Sequence, residues 1–202
     1  ALLDGINSTA PQGKTKNTPR PKILYFATEP PGYAALAEKP DKNLAEQLEK
    51  TALLVSWPGQ PGYVAPPVVP PLTATQQKQF ALGKDLFAAS CAICHQLTGF
   101  GMEGLAPPLA DSEWVLGSPH RIARIILHGL RGTITVKGKS YDMEMPSLNV
   151  FDDDQIAAIL TYIRREWEHG ATPVEPSTIK KIRATTARRN EAWTEAELQK
   201  VP

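Results

Sequence analysis

The residues in this chain that could do chemistry lie within "FAASCAICHQLTGFG", residues 87–101, which holds both cysteines, Cys91 and Cys94, followed by His95. Three chemistries compete for such a cluster. Two thiols three residues apart project from one side of a helical turn. They could therefore reach the two vinyl groups of one haem as thioethers and carry the next residue, His95, beneath the iron, the logic of the C-x-x-C-H attachment signature. A thioredoxin-like redox pair would instead follow a strand in a βαβ unit, and here a helical pattern precedes the cysteines. A structural zinc site needs four ligands; there is no second C-x-x-C or paired histidine, and His120, His128 and His169 are scattered. A pair of idle, buried cysteines is the plainest alternative. Context favours one covalent haem c.

A sixth ligand would decide between an electron carrier, six-coordinate and low-spin, and a haem open to small molecules. The chain has three methionines. Met102 is too close to the attachment site to reach the far haem face. Met143 and Met145 lie about fifty residues downstream in the polar stretch "SYDMEMPS", and core packing explains them poorly there. Met145 precedes Pro146, which favours an extended backbone.

These residues need elements to position them. Thr73 and Gln76 form a T-x-x-Q capping box for a helix whose Phe80, Gly83 and Phe87 share one face and which runs into the cysteines. "GFGMEGLAPPLADS" is loop by its glycines and prolines. In "SPHRIARIILHGL", Ser118 caps, Pro119 takes the first helical position and Gly129 follows the end. "TITVKGKSYDMEMPSL" suits a small hairpin with a Lys-Gly-Lys turn, or an extended loop. In "FDDDQIAAILTYIRREWEHG", Asp152 and Gln155 cap, and Ile156, Ile159, Leu160, Ile163 and Trp167 form a stripe. Arg164, Arg165 and His169 suit the negative end, and Gly170 stops the helix.

The rest is less explicit. "NLAEQLEKTALLVSW" predicts a helix with Leu44, Leu48, Thr51 and Val55 on one stripe, widened by Leu53 and Leu54. The prolines of "WPGQPGYVAPPVVPPL" make an extended connector. We therefore expect an N-terminal extension over 1–72, a core domain over 73–170 and a tail over 171–202, with weak helical signals, packed on a neighbour or loosely ordered.

Composition narrows the classes. The chain has 202 residues, 42% of them hydrophobic and 21% charged, with a net charge of +1. That balance suits a soluble globular protein and gives no electrostatic reason to expect nucleic acid or an anionic membrane as partner. Nineteen prolines, clustered outside the helical segments, fit one core with extended connectors. No apolar run approaches the roughly 20 residues that span a bilayer. The first residues lack a basic flank and apolar block, and the start at Ala1 reads as a processed protein or a piece of a longer one. No nucleophile or acid–base pair stands out, so the chain is not expected to be an enzyme by itself.

Taken in order, the helix with Gly83 and Phe87, "CAICH", "GLAPPL", Met145-Pro146 and a final helix with Tyr162 resemble the class I c-type cytochrome domain, over about residues 73–168. The resemblance implies an all-α fold around one covalent haem. It implies that Gly83 and Phe87 meet Ile159 and Tyr162 where the first and last helices cross. It also implies that a proline carbonyl, Pro107 or Pro108, orients His95, and that the methionine before proline, Met145, is the sixth ligand rather than Met143. Haem-lining or propionate-binding roles could fall to Trp114, Tyr141, Arg121, Arg124 or Arg131. Covalent haem implies a periplasmic or otherwise extracytoplasmic compartment and a redox partner protein or dehydrogenase domain. The basic run Lys180, Lys181, Arg183, Arg188 and Arg189 could steer an acidic partner or be solvated helix face.

More narrowly, residues 112–167 resemble the C-terminal haem module of large secreted dehydrogenase-like proteins of planctomycete and verrucomicrobial bacteria. "ALLDGI" resembles the end of the helical repeats in such proteins. The alternatives this leaves are a subunit or fragment of a sugar or alcohol dehydrogenase, and a ligand-binding or peroxidatic haem with a labile methionine.

Overall fold

A computed structural model describes residues 23–63, 65–66 and 68–202; "ALLDGI" lies outside the described residues. Contacts divide the chain into two units at the Val68–Val69 bond.

In the first unit, Asp41 accepts a hydrogen bond from the Leu44 amide at 2.8 Å and starts a helix. This helix, α2 (Lys42–Ala52), follows a short α1 (Tyr33–Glu38). The sequence predicts that α2 continues to Val55, but it stops at Ala52, and Val55–Ser56 form a strand, β2. β2 pairs in parallel with β1 (Leu24–Tyr25). The Leu54 and Ser56 carbonyls accept from Leu24 and Phe26 at 2.8 and 2.9 Å. Leaving the helix buries Leu54, Val55 and Trp57 and leaves Leu53 exposed. A β-branched residue with a strand partner gains more there than in a fraying helical turn.

The second unit carries the remaining elements: α3 (Ala74–Ser90), α4 (Ala92–His95), α5 (Glu113–Leu116), α6 (Pro119–His128), β3 (Ile134–Val136), β4 (Lys139–Tyr141), α7 (Asp153–Ile163), α8 (Pro176–Thr185) and α9 (Glu195–Leu198). Both capping boxes form. Thr73 Oγ1 and Asp152 Oδ1 accept from the amides of Gln76 and Gln155, whose side-chain oxygens accept from the cap amides in return. α6 has the predicted bounds, from Ser118 as cap to Gly129 just past the end. β3 and β4 form an antiparallel hairpin whose turn, Lys137-Gly138, has positive φ at both residues. That is the backbone twist a two-residue hairpin favours.

α7 is the central element. Every residue from Ile156 to Ile163 is buried, with α3, α6 and α8 packed around it. Each fully buried side chain, Ile156, Ile159 or Leu160, contributes roughly 1.5–3 kcal/mol relative to exposure. The sequence stripe runs on to Trp167, but the helix ends at Ile163 with Arg164 as its cap. Trp167 and Glu168 then adopt positive φ. This turns the Trp167 ring against Phe87, at 5.7 Å, and Tyr162, at 5.9 Å, in space that Gly99 leaves open.

Residues 171–202 belong to this same unit. α8 buries Ile179 and Ile182, and α9 buries Leu198 completely. Among the described residues, no helix is long and apolar enough to cross a membrane.

Candidate functional site

The cysteine cluster begins where α3 ends. Cys91 ends α3 and precedes α4, the single turn that carries Cys94 and His95. The amides of Cys94 and His95 both bond to the Cys91 carbonyl, at 3.2 and 2.9 Å. Gln96 leaves the turn with φ 59°, and Gly101 returns the chain, its amide donating to the His95 carbonyl at 3.0 Å.

His95 is buried. Its Nδ1 donates to the Pro107 carbonyl at 3.0 Å, which leaves Nε2 as the basic nitrogen. Burial lowers the affinity of the ring for a proton, and the Pro107 bond partly offsets this. The result is a neutral, oriented imidazole, the form that binds a metal. Between Pro107 and Pro108, the Pro107 carbonyl is thus the one bonded to the ring.

Cys91 is half-buried and Cys94 exposed; both are free thiols. Burial, and then the neighbouring Cys94, push the Cys91 thiol up to about 11. A thiol–disulfide catalyst needs the opposite shift. Among the described residues, no group of three His, Cys, Asp or Glu side chains stands together as a metal site, so the motif does not converge on one ion.

Cys91, Cys94 and His95 instead line a cavity, together with Pro107, Met143 and Met145. Taken with its open mouth, the cavity holds about 1170 Å³ of atom-free space. Its walls are apolar, built from Phe87, Trp114, Ile122, Ile126, Leu130 and Ile159. A large flat macrocycle needs such a lining, with thiols at the rim and nitrogen and thioether donors within. The residues present therefore fit a haem.

The two methionines are held differently. Met143 is 53% exposed. Met145 is partly buried against the core and exchanges both backbone hydrogen bonds with Leu130, each at 2.9 Å. Gly129 makes this approach feasible, because a Cβ there would lie 2.6 Å from the Met145 carbonyl oxygen.

The other sequence candidates divide between the cavity wall and the rest of the unit. Tyr141 is buried in the core at the end of β4 and is not among the residues lining the cavity. Trp114 does line it, its indole donating to the Thr135 carbonyl at 2.9 Å. Arg121, Arg124 and Arg131 are engaged with the C-terminal tail. Arg121 donates to the Val201 carbonyl, Arg124 faces the Trp193 ring, and Arg131 pairs with Glu191. His128 bonds to Thr186 at 2.7 Å. Of the basic run, Arg183 pairs with Asp153 and Arg189 with Glu197.

Sequence reasoning missed Arg164 and His169 as supports. The buried Arg164 guanidinium donates to the carbonyls of Val115, Gly117 and Thr172, at 2.6, 2.8 and 2.9 Å. This ties α7 to α5, which carries Trp114. His169 Nδ1 donates to the Ile163 carbonyl at 2.7 Å, and Nε2 accepts the Asp111 amide at 2.8 Å. Both read in sequence as helix-end cations, and no local signal marks them as buried.

A family model described as cytochrome c matches residues 80–167. Cytochrome c-552 of Thermus thermophilus is 36% identical over 105 residues, which cover 48% of this chain and 80% of that protein. The cytochrome c subunit of alcohol dehydrogenase (quinone) from Gluconobacter oxydans (strain 621H) is 31% identical over 108 residues, 52% of this chain and 22% of that subunit. Its namesake from Gluconacetobacter polyoxogenes is 28% identical over 134 residues, 64% of this chain and 28% of the subunit.

Proposed function

Because the chain belongs to the cytochrome c family and is thereby an electron carrier with covalent haem c, we propose that it binds one haem through Cys91 and Cys94, with His95 and Met145 as iron ligands. The observation that carries this assignment is the cavity where all four side chains meet, with His95 already oriented by Pro107. When bound, the haem supplies a one-electron iron couple. The chain does the rest. The Pro107 carbonyl holds the imidazole and strengthens it as a donor, and the apolar walls exclude water. The Leu130 pairing favours Met145 over Met143 by holding its segment in one conformation. Residues 73–170 form the electron-transfer domain, and 171–202 a supporting tail.

The donor on this reading is a dehydrogenase, as a separate protein or a neighbouring domain, in an extracytoplasmic compartment. The likeness to quinone alcohol dehydrogenase subunits supports that choice. The narrower resemblance of residues 112–167 to the planctomycete and verrucomicrobial haem module agrees with it, and implies that residues 1–60 are the remnant or the partner-facing edge of a larger enzyme. The exposed Cys94, beside exposed Ile93, Leu97 and Phe100, marks the edge where electrons would enter or leave.

Two measurements test the assignment. Intact mass should show one haem increment. The oxidised protein should show the weak near-infrared Met–iron band, lost in Met145→Ala and kept in Met143→Ala. A high-spin spectrum with ready carbon monoxide binding would instead indicate a ligand-binding haem.

A further inference from the structure

Leu130 directs its hydrogen bonds to one neighbour, and the residues on either side direct theirs to another. Its amide and carbonyl both pair with Met145. The Arg131 amide donates to the Trp193 carbonyl at 2.8 Å, and the Gly129 carbonyl accepts from the Trp193 amide at 3.0 Å. Residues 129–131 are therefore the middle of a three-strand ladder, with Met145 on one edge and Trp193 on the other.

A lone two-strand pairing is marginal in water, and a third strand with an apolar face stabilises it. The tail segment that supplies this third strand is itself well held. The Arg189 guanidinium lies 3.7 Å from the Trp193 ring centroid, within the range of a cation–π contact. The same guanidinium donates to the Glu191 and Ala192 carbonyls, at 2.8 and 3.0 Å, and to both Glu197 oxygens, at 3.0 and 2.8 Å. The fully buried Leu198 anchors the far end.

We propose that Trp193 is a positioning residue for the sixth ligand: through residues 129–131 it fixes the backbone that presents Met145 to the cavity. This rests on the reading of Met145 as the ligand. When the Trp193 strand loosens, the Leu130–Met145 pair opens locally, the Met145 sulfur leaves its place more often, and the cavity admits outside ligands.

The test uses the haem-loaded 202-residue chain with Trp193→Ala, Trp193→Phe and Arg189→Gln, with Met145→Ala as reference. In Trp193→Ala, the Leu130 and Met145 amides should exchange about tenfold faster by local opening, while the α7 amides stay as protected as in the unaltered protein. Its near-infrared band should weaken and carbon monoxide should bind the reduced form faster, well below the melting temperature; Trp193→Phe should recover part of both. If Trp193→Ala does not accumulate, Arg189→Gln, which removes side-chain contacts made within the tail, should show the same changes more weakly. An unchanged band and unchanged exchange at Leu130 and Met145 overturn the inference, as does an equal acceleration at α7, which would mean general destabilisation. If Met145→Ala keeps the band, the ligand assignment fails, and the inference with it.

Discussion

Gly83 in α3 lies so close to the Ala158 carbonyl in α7 that a side chain there has no room. A Cβ would also come within 2.9 Å of Tyr162 Cβ. The glycine thus sets the depth of the helix crossing, and Tyr162 fills the space beside it, its ring 5.2 Å from both Phe80 and Phe87. Alanine is the better helix former by about 1 kcal/mol, yet Gly83→Ala should lower stability by about 1–3 kcal/mol, because backbone must shift to admit the methyl. Denaturant unfolding measures this; a variant as stable as the parent would mean that the helices can slide apart without loss.

Gly101 plays a similar part for the imidazole. It has φ +68°, and a Cβ there would meet the carbonyls of Ala106 and Pro107, the latter at 2.6 Å. Gly101→Ala should push the Pro107 carbonyl away from His95 Nδ1. A histidine without that acceptor is a weaker donor and stabilises ferric iron less. The reduction potential should therefore rise, by on the order of tens of millivolts. A redox titration reads this directly, and an unchanged potential would leave the Pro107 bond with only a steric role.

Arg164 offers a test of the scaffold. It is 3% exposed and bonded to three carbonyls and the Thr172 hydroxyl. Arg164→Met keeps the bulk but leaves those acceptors without a donor, which should cost about 3 kcal/mol. Lysine should not rescue it, since a single ammonium lacks the planar fork that serves acceptors on two segments. Thermal unfolding of both variants checks this, and full stability in the lysine variant would refute the fork argument.

What could be read in the sequence was local. Thr73 with Gln76, and Asp152 with Gln155, are three apart and bond as their spacing predicts; Cys91, Cys94 and His95 are contiguous. Where long-range contacts decide, the pattern misleads. Trp167 continues the stripe of α7, but the chain turns there and sets the Trp167 ring edge-on to Phe87, in space left by Gly99. Val55 continues the stripe of α2, but Leu24 offers it a strand. The Met145–Leu130–Trp193 ladder has no periodicity at all, because each strand contributes about one pair, so nothing in the sequence announces that residues near 193 bear on residue 145.

That ladder has its own acid sensitivity. The Thr194 amide, and then the Arg189 guanidinium, hold the Glu197 carboxyl down to about 2, against an ordinary value of 4.5. A carboxyl depressed in the folded state stabilises fully above its ordinary value and progressively less as pH falls toward the folded one. The Glu197 side chain is 38% exposed, so solvent screening keeps the effect modest. Between pH 4.5 and about 2, the Arg189–Glu197 pair should weaken, and the Trp193 and Leu130 amides should exchange faster than their intrinsic pH dependence accounts for. Glu197→Gln lacks the charge at every pH. It should show the faster exchange already at neutrality and no further rise of this kind in that window; a variant that follows the parent's acid profile would locate the sensitivity in another group.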